Sequence, residues 1–176
     1  MRFDSINIIE EKMIILGIDP GYAIVGFGVI EKDRFGVKVI DYGVITTPKE
    51  DTMPVRLKTI YDSLCAIIDK YKPDCMAIEE LFFQNNQKTA INVAEARGVT
   101  LLAGMNKIGK LYEYTPLQIK SALTGTGRAE KRQVQYMVKA ILGLASIPKP
   151  DDAADALAAA LTHAQTNQIL GNNDIK

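Results

Sequence analysis

From Ala153 to Leu161 the chain carries only alanine, leucine and one aspartate. Alanine is the strongest helix former, so residues 151–166 read as a helix. It is nearly bare of bulk and of charge beyond its first turns. Such a helix can be buried by lying flat against a sheet. Asp152 and Asp155 lie three apart near its start, and that spacing puts both on one helical face. A flat-lying helix would hold these two acids beside the ends of the strands it covers.

The strands come early. Residues 13–18, Met-Ile-Ile-Leu-Gly-Ile, form a short apolar run closed by Asp19-Pro20-Gly21. Bounded runs of this length read as buried strands, and Pro-Gly forces a turn. Residues 24–30 read as a second strand and residues 35–46 as a third, with Gly36 at the turn between them. Three strands with short connections predict an antiparallel meander. The period then changes. Leu57, Ile60, Tyr61, Leu64, Ile68 and Tyr71 recur at three and four, which predicts an amphipathic helix over 54–72, stopped by Pro73. A short strand at 76–78 ends on Glu79-Glu80. A long helix over 87–108, a strand over 111–115, and helices over 116–123, 130–143 and 151–166 complete the order. The prediction is an α/β protein with a mixed five-stranded sheet and helices on both faces. Residues 168–176 read as a polar, frayed tail.

The chain of 176 residues suits one compact domain. No apolar run reaches the roughly 18 residues of a membrane helix, and residues 1–12 lack a signal-peptide core. Cys65 and Cys75 have no metal-site spacing, so a reduced, cytoplasmic protein is expected. Asp19 and Glu79 end buried strands, and Asp152 and Asp155 begin the alanine-rich helix. Each alone reads as a turn or helix-start acid. Together they would repel one another strongly in one crevice, and a cation must offset that. Hard divalent ions prefer oxygen ligands. Three or four acids match a two-metal site for phosphodiester hydrolysis. The single histidine, His163, reads as a structural or rim residue.

Three segments carry a closer likeness. Gly17-Ile18-Asp19-Pro20-Gly21, Ala77-Ile78-Glu79-Glu80 and the run Asp152 to Ala158 resemble the active-site motifs of the RuvC family of bacterial Holliday-junction resolvases. Residues 96–99 and 129–134 are also similar to that family, and the likeness runs from residue 13 to 163. It implies an RNase H-like (retroviral-integrase-like) fold. It implies a homodimer that makes paired symmetric nicks in a four-way DNA junction during recombination and repair. The expected cofactor is Mg2+, two ions per site, with Mn2+ as a substitute. The catalytic and metal-binding acids it implies are Asp19, Glu79, Asp152 and Asp155; some relatives carry His at the position of Asp152. It also implies Lys120 and Lys131 beside the scissile DNA, Phe82 as a base-stacking wedge, and the branch-migration proteins RuvA and RuvB as partners. One departure is Tyr22-Ala23-Ile24-Val25, where many relatives have small polar and basic residues. Residues 1–12 lie outside the likeness, and residues 13–167 form the expected nuclease domain.

Formal net charge is zero, which argues against DNA only if charge is evenly spread. It is not. Residues 97–139 hold eight Lys and Arg against Glu113 and Glu130, a net +6. Arg128, after a Thr-Gly-Thr-Gly loop, and Arg132 are further candidate phosphate contacts. Ala90, Ala94 and Gly98 form a small-residue ridge that suits either packing on the sheet or a dimer seam. Rival readings are an RNA or hybrid nuclease of the same fold, an actin-like ATPase, and a non-catalytic junction binder. The ATPase needs a second domain that this length cannot hold, and a DNA binder gains nothing from acids beside phosphates.

Overall fold

The computed structural model describes residues 12–80, 87–166 and Ile175, with backbone alone for residues 87–89. The elements are β1 (Met13–Asp19), β2 (Ile24–Asp33), β3 (Gly36–Thr46), α1 (Met53–Tyr71), β4 (Cys75–Glu79), α2 (Gln87–Lys107), β5 (Leu111–Tyr114), α3 (Pro116–Thr124), α4 (Lys131–Ile141) and α5 (Asp151–Gln165). Their order is the expected one. The sheet runs β3-β2-β1-β4-β5. The first three strands pair antiparallel, and β1–β4 and β4–β5 pair parallel.

Strand alternation divides the core in two. Ile15, Ala77 and Tyr114 face α3, α4 and α5. Leu16, Ile18, Met76 and Ile78 face α1 and α2 through Ile60, Leu64, Ala96 and Ala103. Helices therefore cover both faces, as the alternation of strands and helices requires. The turn from β2 to β3 is held by the Asp33 carboxylate, which accepts from the N–H groups of Phe35 (2.7 Å) and Gly36 (3.1 Å). Helix α1 ends at Lys72 in the left-handed region (φ 50°), one residue before Pro73.

Helix α5 lies directly on β1 and β2, and glycines make that possible. A Cβ on Gly17 would stand 2.0 Å from the Ala156 carbonyl oxygen and 2.8 Å from the Ala160 Cβ. One on Gly26 would stand 2.0 Å from the Asp152 carbonyl oxygen. Gly28, the cross-strand partner of Gly17, lies under Leu157. Alanine above and glycine below let two backbones approach where ordinary side chains would hold them apart.

The C-terminal tail departs from expectation at one point. The Ile175 N–H donates to the Leu111 carbonyl at 3.1 Å, and its side chain packs on the α1–α2 side of the core. An edge strand such as β5 offers unpaired backbone groups, and the tail uses one. The N-terminal extension through residue 11 lies outside the described residues.

Gly17→Ala should destabilise the protein by about 3 kcal/mol, because the added methyl meets helix backbone that cannot rotate away. Urea denaturation measures this; a loss under about 1 kcal/mol would show that α5 is free to lift.

Candidate active site

Register brings the first two acids together. Ile18 pairs with Ile78 across the parallel β1–β4 ladder, so Asp19 and Glu79 follow side by side at the strand ends. Asp19 shares the strand face of Ile15 and Gly17, and Glu79 that of Ala77. Both therefore point to the side covered by α5. Asp19 pairs with Gly26 on β2, and the Asp152 carbonyl lies on Gly26. The glycine floor thus seats the first turn of α5, with Asp152 and Asp155, next to Asp19.

The electrostatics report the same convergence. Burial, followed by the charges of Glu79, Asp155 and Asp152, pushes the Asp19 carboxyl up to about 8. Burial and the charge of Asp155 push Glu79 up to about 7. Asp155 is raised as well, chiefly by burial, against the opposing pull of Lys131. The charges of the other three expected acids all reach Asp19.

Two lysines answer them. The Lys131 ammonium donates to Asp155 Oδ2 at 2.7 Å and lies 3.9 Å from Asp151. Burial disfavours its charge, but the bond to Asp155 and the charges of Asp155, Asp151 and Asp19 outweigh that and raise its pKa. Lys120 lines a cleft of about 240 Å3 with Lys131, Glu79 and Asp155, between the apolar walls of Ile119 and Val134. Helix starts hold both lysines in place. Thr115 and Gln118 cap α3 reciprocally (3.1 and 2.8 Å). At α4 the Glu130 N–H donates to the Gln133 side chain at 2.7 Å. Each cap fixes the turn that carries its lysine.

Among the described residues no three acidic, histidine or cysteine side chains close into a tight coordination set. The donors line one wall and are partly satisfied by Lys131. Their chemistry still fits hard divalent cations: carboxylate oxygens only, short of positive charge, with two of the groups pushed toward neutrality. His163 is engaged elsewhere, its Nδ1 2.7 Å from the Tyr114 hydroxyl and its ring stacked 4.2 Å from Tyr112. It is buried, the structural of the two readings, and not a rim residue.

The other expected residues are spread out. Arg128 is exposed in the loop before α4. Arg132 lies apart from the acids and lines a separate hollow of about 420 Å3 with Thr124, Tyr136 and Met137. Phe82 lies outside the described residues. Two cations of the basic stretch are occupied: Arg97 pairs with Glu113, and Lys107 with Asp69 at 2.8 Å. Sequence reasoning passed over Asp151, which Lys149 holds at 2.7 Å and which shares Lys131. It reads as one more helix-start acid until α4 is placed beside it.

A mixed sheet in the order 3-2-1-4-5, with acids ending its two central strands and heading the helix laid over them, defines an RNase H-like nuclease fold. Comparison with known proteins narrows the class. The sequence profile of the crossover junction endodeoxyribonuclease RuvC matches residues 15–163, and the chain belongs to the RuvC family. It is 56% identical over 164 residues to the RuvC of Alkaliphilus oremlandii, which covers 93% of this chain and all of that protein. It is 55% identical over 159 residues to the RuvC of Desulforamulus reducens, covering 90% and 98% of the two chains. The structure of Thermus thermophilus RuvC in complex with a Holliday junction substrate superposes with a TM-score of 0.82 at 36% identity, over 87% of this chain and 93% of that one.

The raised carboxyls make the metal-free site a burden that grows with pH. A proton bound more tightly in the folded state stabilises most below pH 4, and that stability drains away as pH climbs from about 4 to about 8. Asp19→Asn should therefore match wild type near pH 4 and exceed it by up to about 5 kcal/mol at pH 8 without divalent ions. Adding Mg2+ should raise the melting temperature of wild type much more than that of the variant. Thermal melts across pH test both; a wild type indifferent to Mg2+ would count against metal at these acids.

Proposed function

We propose that the protein is a structure-selective endonuclease that resolves four-way DNA junctions by paired symmetric nicks. The observation that carries this is the meeting of Asp19, Glu79, Asp152 and Asp155 beside Lys120 and Lys131 in a RuvC-family chain. Asp19, Glu79, Asp152 and Asp155 are the residues that would hold Mg2+, two ions per site, with Mn2+ as a substitute. Such ions activate water and neutralise the leaving 3′ oxygen in phosphodiester hydrolysis. Asp19 stands in the field of the other three acids and would be the central ligand of the set. Lys120 and Lys131 flank the cleft and offset the charge that builds on the scissile phosphate. Arg128 and Arg132 extend the basic rim. Phe82, on the family resemblance, stacks on an unpaired base at the crossover, an interaction worth roughly 1–3 kcal/mol.

Symmetric nicking needs two sites in a two-fold relation, which a homodimer supplies. The small-residue ridge of α2 faces outward: a Cβ on Gly98 would meet nothing within 4 Å. Ile91, Leu102 and Met105 are 65%, 54% and 60% exposed along the same helix face. The opposite face, with Ala96 and Ala103, is buried on α1 and the sheet. We assign this outer face to a second copy of the chain. RuvA and RuvB are the partners that membership of the family suggests. No described helix is long and apolar enough to cross a membrane, and two free cysteines fit a reducing cytoplasm.

A labelled synthetic junction with Mg2+ tests the activity. Wild type should nick two opposed strands, leaving 5′ phosphate and 3′ hydroxyl ends. Asp19→Asn should bind the junction yet lose at least about 100-fold in rate; cleavage surviving in that variant would remove the assignment. Leu102→Glu should give a monomer in sedimentation and abolish paired nicking. A dimer unaffected by that change would place the seam elsewhere.

A further inference from the structure

Arg56 lies in the first turns of α1, half-buried, with its side chain held on two sides. Its Nε donates to Thr47 Oγ1 at 2.8 Å, and its guanidinium sits 4.7 Å from the centre of the Tyr22 ring. The Thr47 hydroxyl donates onward to the Tyr22 carbonyl at 2.6 Å, and the Thr47 N–H donates to the Ala23 carbonyl at 3.0 Å. The start of α1, the end of β3 and the turn after Asp19 are thus tied at one place. Tyr22, which the sequence offers as the loss of a polar contact, serves as the platform for a cation.

Arg56 is not a partner for the site acids. The cation that acts on Asp19 is Lys131. Among the described residues Arg56 makes no ion pair, and of its guanidinium nitrogens Nε is the one hydrogen-bonded. A guanidinium is charged at every working pH and carries five donors in a rigid fork. Here one donor is used for positioning, and four N–H bonds on the two Nη atoms remain. Pre-ordering by the ring and the threonine removes much of the entropy cost of binding an anion. The position completes the argument. Thr47 follows β3 and Tyr22 follows Asp19 by three residues, so Arg56 stands at the same end of the sheet as the acids but on the face covered by α1 and α2, whereas Lys120 and Lys131 stand with Glu79 on the face covered by α5.

We propose that Arg56, clamped by Tyr22 and Thr47, binds a backbone phosphate of a DNA strand that runs over this end of the sheet. A strand crossing the acids is then held on both faces of the sheet. This rests on the junction-nuclease reading, but its signature is electrostatic and independent of junction preference. A phosphate contact releases counterions, so its loss flattens the salt dependence of binding.

The test uses the full chain, with a fluorescent four-way junction and a plain duplex, in Ca2+ and across a range of KCl. Arg56→Gln should reduce the slope of log affinity against log salt by about 1 per protomer on both DNAs and weaken binding roughly tenfold at 0.1 M salt. Arg56→Lys should restore the slope, because charge is kept. An Arg56→Gln slope equal to wild type, whatever its effect on cleavage, would make Arg56 a clamp for the turn and overturn the proposal. Should that variant fail to fold, phenylglyoxal labelling of wild type gives a second reading: DNA should protect Arg56 from modification and Ca2+ alone should not. Undiminished labelling with DNA bound would also overturn it. A wild type with no preference for junction over duplex would defeat the junction reading, while the duplex slope would still decide on Arg56.

Discussion

The contact between α5 and the glycines of β1 and β2 is what the rest of the molecule depends on. A helix resting on ordinary strand side chains stands off by their length. Here Gly17, Gly26 and Gly28 remove that layer, and the carbonyls of Asp152 and Ala156 come down to the strands. The alanines of α5 suit the same need from above. The site follows from this approach, because its four acids come from three separate elements. Asp19 and Glu79 are brought side by side by strand register alone. Asp152 and Asp155 join them only because their helix is seated that low.

Such convergence is costly to the isolated fold. Burial and mutual repulsion lift Asp19 and Glu79 far from the ordinary carboxylate range. Lys131 relieves part of the strain by lying on Asp155. Its side chain is 55% exposed, so the pair adds at most about 1 kcal/mol by itself. Its importance lies in charge balance, since this ammonium is the cation that most directly opposes the raised pKa of Asp155. One lysine does not balance the acids gathered here, and Asp19 and Glu79 stay pushed toward neutrality. Stability is sacrificed at the place where chemistry needs an unsatisfied set of ligands.

Most of this was legible in the sequence, and the reasons are physical. Strand and helix order followed from changes in hydrophobic period, and Pro73 marked an end that the backbone respects. The four acids stood out because each ended or began an apolar element. What stayed hidden depended on contacts between distant segments. Arg97 and Lys107 counted as DNA-facing charge until Glu113 and Asp69 were placed against them. The α2 ridge fitted two surfaces equally until Gly98 was seen to face open space. Arg56 looked like one cation among many on an amphipathic helix, and nothing local tied it to Tyr22 or Thr47. Ile175 lay in a tail with no periodicity to reveal its pairing with β5.

The neutral total charge takes its meaning from these placements. Without the four site acids the chain is net +4, and those acids are the ones whose charge divalent ions would offset. Of the eight basic residues in the 97–139 stretch, Arg97 and Lys107 are held in ion pairs with Glu113 and Asp69. Of the other six, Lys120 and Lys131 line the cleft, and Arg128 and Arg132 lie around the start of α4. Attraction for a polyanion falls off within a Debye length, about 8 Å at physiological salt. A handful of cations held beside one cleft can therefore attract a polyanion to it in a protein with no net charge at all. The same screening confines their pull to what lies over the acids, where a diffuse excess of lysine would act alike on every face.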